Sequence, residues 1–326
     1  MSSRKDIEVL EVEWEHGIFY PENDRVVRKY HQFFYCFGAN LLLFCFGLMF
    51  PQSGFMLPQL EDPEVGFGID KNQGSWFGKS NQKSNKNTLT KFLFVASILM
   101  FGCLTGSIMG GWQSGRFGRR LSMLLDCLVC FLGLILLTFS PNFYLALAAR
   151  FIMGHAGASA IVSVPIYVGE ISQPQLRNFT SSFTVVCFAC GTSTILIVGA
   201  SFPWRIAVGI TALVPLLTIL ILFFCPESPV WLMTKEREDE AKNSLHKLRG
   251  QDNTDIVEAE FNRIKMNVKI EAKEEEATEK SKIFDILTDP TFTKPFALLF
   301  LVFCVNFEWC GLAAVAFYIV PLLKYV

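Results

Sequence analysis

The chain has 326 residues, of which 51% are hydrophobic and 18% charged, with 32 phenylalanines and a formal net charge of −1. An apolar surplus of that size excludes an ordinary soluble domain and suits a protein whose solvent is lipid. The net charge carries little information because the charges are segregated: they collect in the N-terminal tail, after Arg116, and between Glu236 and Lys294.

A bilayer core is spanned by about 20 apolar residues as helix. Only a helix or a closed barrel satisfies its own backbone there, and the apolar runs are of helical length. The expected class is therefore an all-α membrane protein. Residues 1–32 are polar, mixed in charge and without the apolar core of a cleavable signal; they read as a cytoplasmic tail. Residues 33–225 hold six apolar stretches, read as a six-helix bundle. They are Phe33–Phe50, Phe92–Trp112, Leu121–Phe139, Tyr144–Val168, Phe179–Ala200 and Ile206–Phe224. On the second, Gly106, Gly110 and Gly111 set small residues one turn apart, which permits close approach to a neighbouring helix. Residues 226–294 form a long polar linker. Within it Ala241, Leu245 and Leu248 make one helical stripe, Phe261, Ile264 and Val268 another, and "KIEAKEEEATEKSK" a solvated charge run. Residues 295–326 carry a seventh stretch, Pro295–Val320, the first span of an incomplete second bundle.

Lys and Arg set the orientation. With the N-terminus inside, Arg116, Arg119, Arg120, Arg177 and the basic residues of the linker are cytoplasmic. The turns "SPNF" and "SFPWR" are outside with one arginine between them. The first outer loop opposes this pattern with Lys71, Lys79, Lys83, Lys86 and Lys91 and is outweighed. The ten cysteines lie in or beside apolar runs. Both CxxC pairs, Cys127/Cys130 and Cys187/Cys190, have no neighbouring His and read as small packing residues rather than metal ligands or a redox pair.

Four segments carry a family resemblance. "GGWQSGRFGRR" resembles the G-x-x-x-D-R-x-G-R-R signature between spans two and three of the major facilitator superfamily. "RFIMGHAGASAIVSVPIYVGEISQPQLRN" resembles the fourth span of its sugar-porter branch, with Arg150, Gly154, Pro165, Tyr167, Glu170 and Arg177 in place. "PESPVWL" is similar to the P-E-S-P-R-W-L after span six, and "EAKNSLHKLRG" to the helix that follows it. The resemblance covers roughly Gly38 to Tyr318 and comes nearest to the insect trehalose and glucose facilitators. It implies a major-facilitator-type six-helix bundle, a cytoplasmic helical segment at 226–294, and a charge cluster of Arg116, Arg119, Arg120, Glu170, Arg177 and Glu227 acting as a cytoplasmic gate. Ordinary rim charges, and an acid at a helix start for Glu227, are the plainer alternatives.

The chain departs from the family pattern where a sugar would bind. The signature's Asp is Gly115, and the Arg of P-E-S-P-R is Val230. Val185 stands where sugar porters place a cavity Gln. In "FEWCGLA" the motif's two Gln and its Asn are replaced by Phe307, Glu308 and Ala313. Amides suit a sugar because each donates to and accepts from hydroxyls, so altered sugar selectivity is expected. Glu308, an acid in mid-helix, suggests a pathway or proton site, with simple drift as the alternative. His155 is a further cavity candidate, and Asp126 lies near the cytoplasmic end of span three. Residues 78–94 are an atypical Lys/Asn-rich insert in the first outer loop, from either translated intronic sequence or a variable surface loop. The chain ends at Val326, just after span seven. The expectation is that these residues alone do not carry sugar and that they self-associate or use a missing C-terminal half.

Two functions fit. One is a sugar-porter-type solute transporter, facilitative and trehalose-like, multi-pass in the plasma membrane, with a sugar and the lipid bilayer as partners. The other is a non-transporting membrane interaction or regulatory protein derived from such a carrier. No phosphate loop, metal constellation or nucleophile–base pair points to an enzyme, and no cofactor, metal or nucleic acid is implied.

Overall fold

The computed structural model describes residues 24–60, 85–249 and 254–278, together with 293, 295, 297–299, 301 and 302. Among them the ordered elements are all helices: α1 (Asp24–Met49), α2 (Gln52–Leu60), α3 (Asn85–Phe117), α4 (Arg119–Thr138), α5 (Phe143–Ile171), α6 (Pro174–Ser201), α7 (Trp204–Thr211), α8 (Leu213–Phe224), α9 (Pro229–Thr234), α10 (Glu238–Arg249) and α11 (Thr254–Thr278).

Five stretches are long and apolar enough to cross a membrane: Gln32–Met56, Arg119–Thr138, Phe143–Ile171, Leu176–Ser201 and Trp204–Phe224. The 33-residue α3 contains the second stretch expected from sequence. Proline marks the breaks. Pro51 cannot donate an amide and disfavours helix at the residue before it, so α1 stops at Met49 and α2 restarts at Gln52. Pro215 leaves the carbonyl of Thr211 without its helical donor, and the sixth span divides into α7 and α8 at Ala212. Two boundaries differ from the sequence reading. Helix α1 starts at Asp24, inside the expected tail. Helix α3 starts at Asn85, so residues 85–94 of the atypical insert are helix continuous with span two rather than loop.

Helix α3 packs closely against α5, and glycine makes it so. A Cβ on Gly110 would stand 2.7 Å from the Ser159 Cα, and one on Gly102 would stand 3.0 Å from the His155 amide nitrogen. Gly106 lies between them, equally close to the His155 backbone. The contact stripe is thus 102/106/110, a four-residue period that brings one face of α3 onto α5. Gly111, expected on this stripe, faces open space, because it is about 100° further round the helix.

Two apolar clusters fill the bundle. One, with Met49, Phe55, Leu134, Met153 and Trp204, occupies the end where the chain turns between α4 and α5. The other, with Leu42, Met123, Tyr167, Ile171 and Leu222, occupies the opposite end. Large apolar side chains such as Phe101, Ile108, Leu132, Ile197 and Phe223 stay exposed on the outside, as a lipid-facing surface requires. Beyond α8 the linker folds onto the bundle. Trp231, Leu232, Met233 and Ala241 are buried, with Phe261, Ile264 and Val268 packed on them, and Leu245 and Leu248 are buried as well.

Candidate functional site: a charged end and a polar flank

At one end of the bundle the α3–α4 turn, the C-terminus of α5 and the α8–α9 junction converge. Gly118, the N-cap of α4, has φ of +101°, a backbone conformation that favours glycine. A Cβ there would also stand 2.6 Å from Glu227 Oε2. The turn therefore delivers two amides to one carboxylate. The N–H groups of Arg119 and Arg120 donate to Glu227 Oε1 at 2.9 and 3.0 Å, and the Ser228 amide joins them at 3.0 Å. Glu227 caps the positive end of α4 from a distant segment of chain.

The two arginine side chains then diverge. Arg119 forms a fork with Glu170: Nη2 to Oε1 is 2.9 Å and Nε to Oε2 is 3.1 Å, with both side chains mostly buried. Its remaining nitrogen donates to the Ser114 carbonyl at 2.9 Å. Arg120 turns to the last carbonyls of α8, donating to Leu222 and Phe223, and stacks on the Phe223 ring. A cation at a helix C-terminus is favourable, and Arg120 pairs with no carboxylate side chain among the described residues. Arg116 is exposed over Trp112, 5.4 Å from the ring centre. Arg177 is exposed at the start of α6 and makes no ion pair among the described residues. The six-residue cluster expected from sequence is thus a compact group of Arg119, Glu170 and Glu227, with Arg120 beside it and Arg116 and Arg177 outside it.

Other groups fasten the same end without being evident in sequence. Tyr167 donates to the Pro226 carbonyl at 2.8 Å, and Trp231 Nε1 donates to the carbonyl of Gly115 at 2.9 Å. Gln32 and Arg249 both donate to the Ile171 carbonyl at 3.0 Å, and Arg249 forks onto Glu260 at 2.7 and 2.8 Å. Tyr167 and Trp231 were visible inside the family-like segments. Arg249 also lies in such a segment, "EAKNSLHKLRG", but nothing in its spacing there marks it as 98% buried.

Further into the bundle, Asp126 of α4 is buried and accepts from Ser159 at 3.0 Å, Gln113 at 3.3 Å and Ser163 at 3.4 Å. The i, i+4 spacing of the two serines puts both hydroxyls on one face of α5. His155 is half-buried, with Nδ1 3.1 Å from the Thr105 hydroxyl. Val185 is exposed on α6. On the same helix Ser182, Ser193 and Thr194 are exposed, each bonded back to the carbonyl four residues earlier. Phe307, Glu308 and Ala313 lie outside the described residues.

Five stretches long and apolar enough to cross a membrane, packed with the 33-residue α3, fastened at one end by an Arg–Glu fork and strapped by the linker helices, define an all-α multi-pass membrane bundle. The family model described as "Sugar (and other) transporter" matches residues 70–325, and the chain belongs to that family. It is 30% identical over 201 residues to "Probable inositol transporter 2" of Arabidopsis thaliana, covering 60% of this chain and 34% of the relative. It is 28% identical over 237 residues to "Facilitated trehalose transporter Tret1" of Apis mellifera ligustica, covering 73% and 46%. Among solved structures, the partially occluded, inward-open xylose transporter XylE from E. coli superposes with a TM-score of 0.64 at 18% identity, covering 87% of this chain and 64% of that one. The chain spans about a third to a half of the length of these curated relatives.

Proposed function

We propose that the chain forms the first half, with the linker, of a facilitative sugar-porter-type carrier in the plasma membrane. The N-terminus and α9–α11 then lie on the cytoplasmic side. The Arg119–Glu170–Glu227 group supports this reading most directly. It joins three separate segments at the end where lysine and arginine concentrate, and charge-assisted forks of this kind bias a two-state equilibrium by a few kcal/mol. In this architecture the solute site lies between two repeats, so the exposed flank of α6 and the half-buried His155–Thr105 pair face the transport path. Hydroxyls and an imidazole suit a polyol or sugar. Val185, which offers no hydrogen bond, weakens the fit to an ordinary hexose.

The test fuses this chain to the second half of the honeybee trehalose relative and follows uptake of labelled trehalose, glucose and inositol in vesicles. Saturable uptake of at least one solute is expected. A correctly inserted fusion that moves none of them would favour a membrane interaction protein, the reading that the missing amide at Val185 supports.

A further inference from the structure

His155 lies on α5 where the glycine stripe of α3 crosses it, so close that a Cβ on Gly106 would stand 2.9 Å from the His155 Cα. The crossing sets the imidazole of one helix against the Thr105 hydroxyl of the other, with Nδ1 and Oγ1 3.1 Å apart. Thr105 has a second contact, to the Gly102 carbonyl at 2.8 Å. A carbonyl oxygen only accepts, so the single hydrogen of the hydroxyl goes there. The threonine oxygen then has only lone pairs to offer the ring, and the contact is a hydrogen bond only if Nδ1 carries the proton. The opposite assignment would set the hydroxyl and carbonyl oxygens against each other with no hydrogen between them. Neutral His155 is thus the Nδ1–H tautomer, and its Nε2 keeps a bare lone pair.

Among the described residues Nε2 takes no hydrogen bond, and it is not one of the polar atoms closed off inside the bundle. Exposed apolar side chains flank the pair: Leu104 and Ile108 beside Thr105 on α3, and Phe151 one turn before His155 on α5. A bare acceptor facing lipid is costly, whereas a solute path supplies it with a donor. We propose that His155, held in this tautomer by Thr105, selects the solute by accepting a hydrogen bond at Nε2 from a hydroxyl of a neutral polyol or sugar. The inference rests on the transport reading above and adds the direction of the bond. Thr105 is a positioning residue, acting through the ring. A solute that presents only acceptors, such as a carboxylate, finds no donor at Nε2.

The tautomer is read by nitrogen NMR on the whole purified chain, isotope-labelled at histidine, at mildly alkaline pH where a free imidazole is neutral. The chain has four histidines, so the His155 signals are those lost in His155→Gln. A protonated Nδ1 and a bare Nε2 are expected; the reverse would overturn the proposal whatever the uptake test shows. In the chain fused to a second half, inositol or glucose should shift the Nε2 signal saturably. Thr105→Val should release the ring to the Nε2–H tautomer and raise the half-saturating solute concentration about tenfold. Thr105→Ser, which keeps the hydroxyl, should match the parent in both readouts. An Nε2 signal that neither solute moves would overturn the acceptor role, and uptake of the same solutes by that fusion would leave the transport reading standing. A shift without uptake would keep the acceptor and sink the transport reading.

Discussion

Arg119 and Arg120 are adjacent and chemically identical, yet they do different work. Consecutive helical residues point about 100° apart, so Arg119 meets Glu170 on α5 while Arg120 meets the carbonyl end of α8. Sequence shows a pair of arginines and a family-like turn, but the division of labour depends on where α5 and α8 pack around α4. The same holds for Glu227, whose partners are backbone amides that no side-chain pattern announces. Replacing Glu227 by Gln should remove the charge from the cap of α4 and cost about 1–2 kcal/mol, read as a fall in the unfolding midpoint. Gly118→Ala should cost more, about 2–3 kcal/mol, because it adds backbone strain to a clash with the Glu227 carboxylate. If the alanine variant proves as stable as the parent chain, the geometry assigned to this turn is wrong.

At the scale of helices, the spans were largely legible because membrane segments are long apolar runs with proline and polar punctuation. The start of α1 at Asp24 was not, since its first turns are as polar as the tail before them. Nor was the glycine stripe complete: Gly110 and Gly111 look equivalent in sequence, whereas only the four-residue series Gly102, Gly106 and Gly110 meets α5. Gly106→Leu should therefore push α3 off α5 and destabilise the bundle by about 3 kcal/mol, while Gly111→Leu should be close to neutral. Thermal unfolding of the two variants side by side decides it, and equal losses would remove the assigned interface. The linker helices rest on a smaller core. Ala241 has no exposed surface, so Ala241→Asp should release α10 and expose the linker to limited proteolysis without unfolding the spans.

For the molecule as a whole, family-like segments that are far apart in sequence converge at one end of the bundle. The α3–α4 turn, the end of α5, the Pro226–Ser228 junction and α10 are joined by Arg119, Tyr167, Glu227, Trp231 and Arg249. Within this chain each of these segments supplies a partner the others lack. The proposed solute path was less legible, because an apolar, exposed residue such as Val185 offers no hydrogen-bonding group that would say what binds. On the proposed function, the Arg119–Glu170 fork sets how readily this end of the bundle opens. The direct measurement is the labelling rate of Ser182→Cys, near this end of α6, from the linker side of the membrane in the chain fused to a second half. Glu170→Gln should raise that rate several-fold, whereas Asp126→Asn, whose carboxylate is held by neutral donors inside the bundle, should leave it near the parent value. Identical rates in the parent and Glu170→Gln chains would contradict the account.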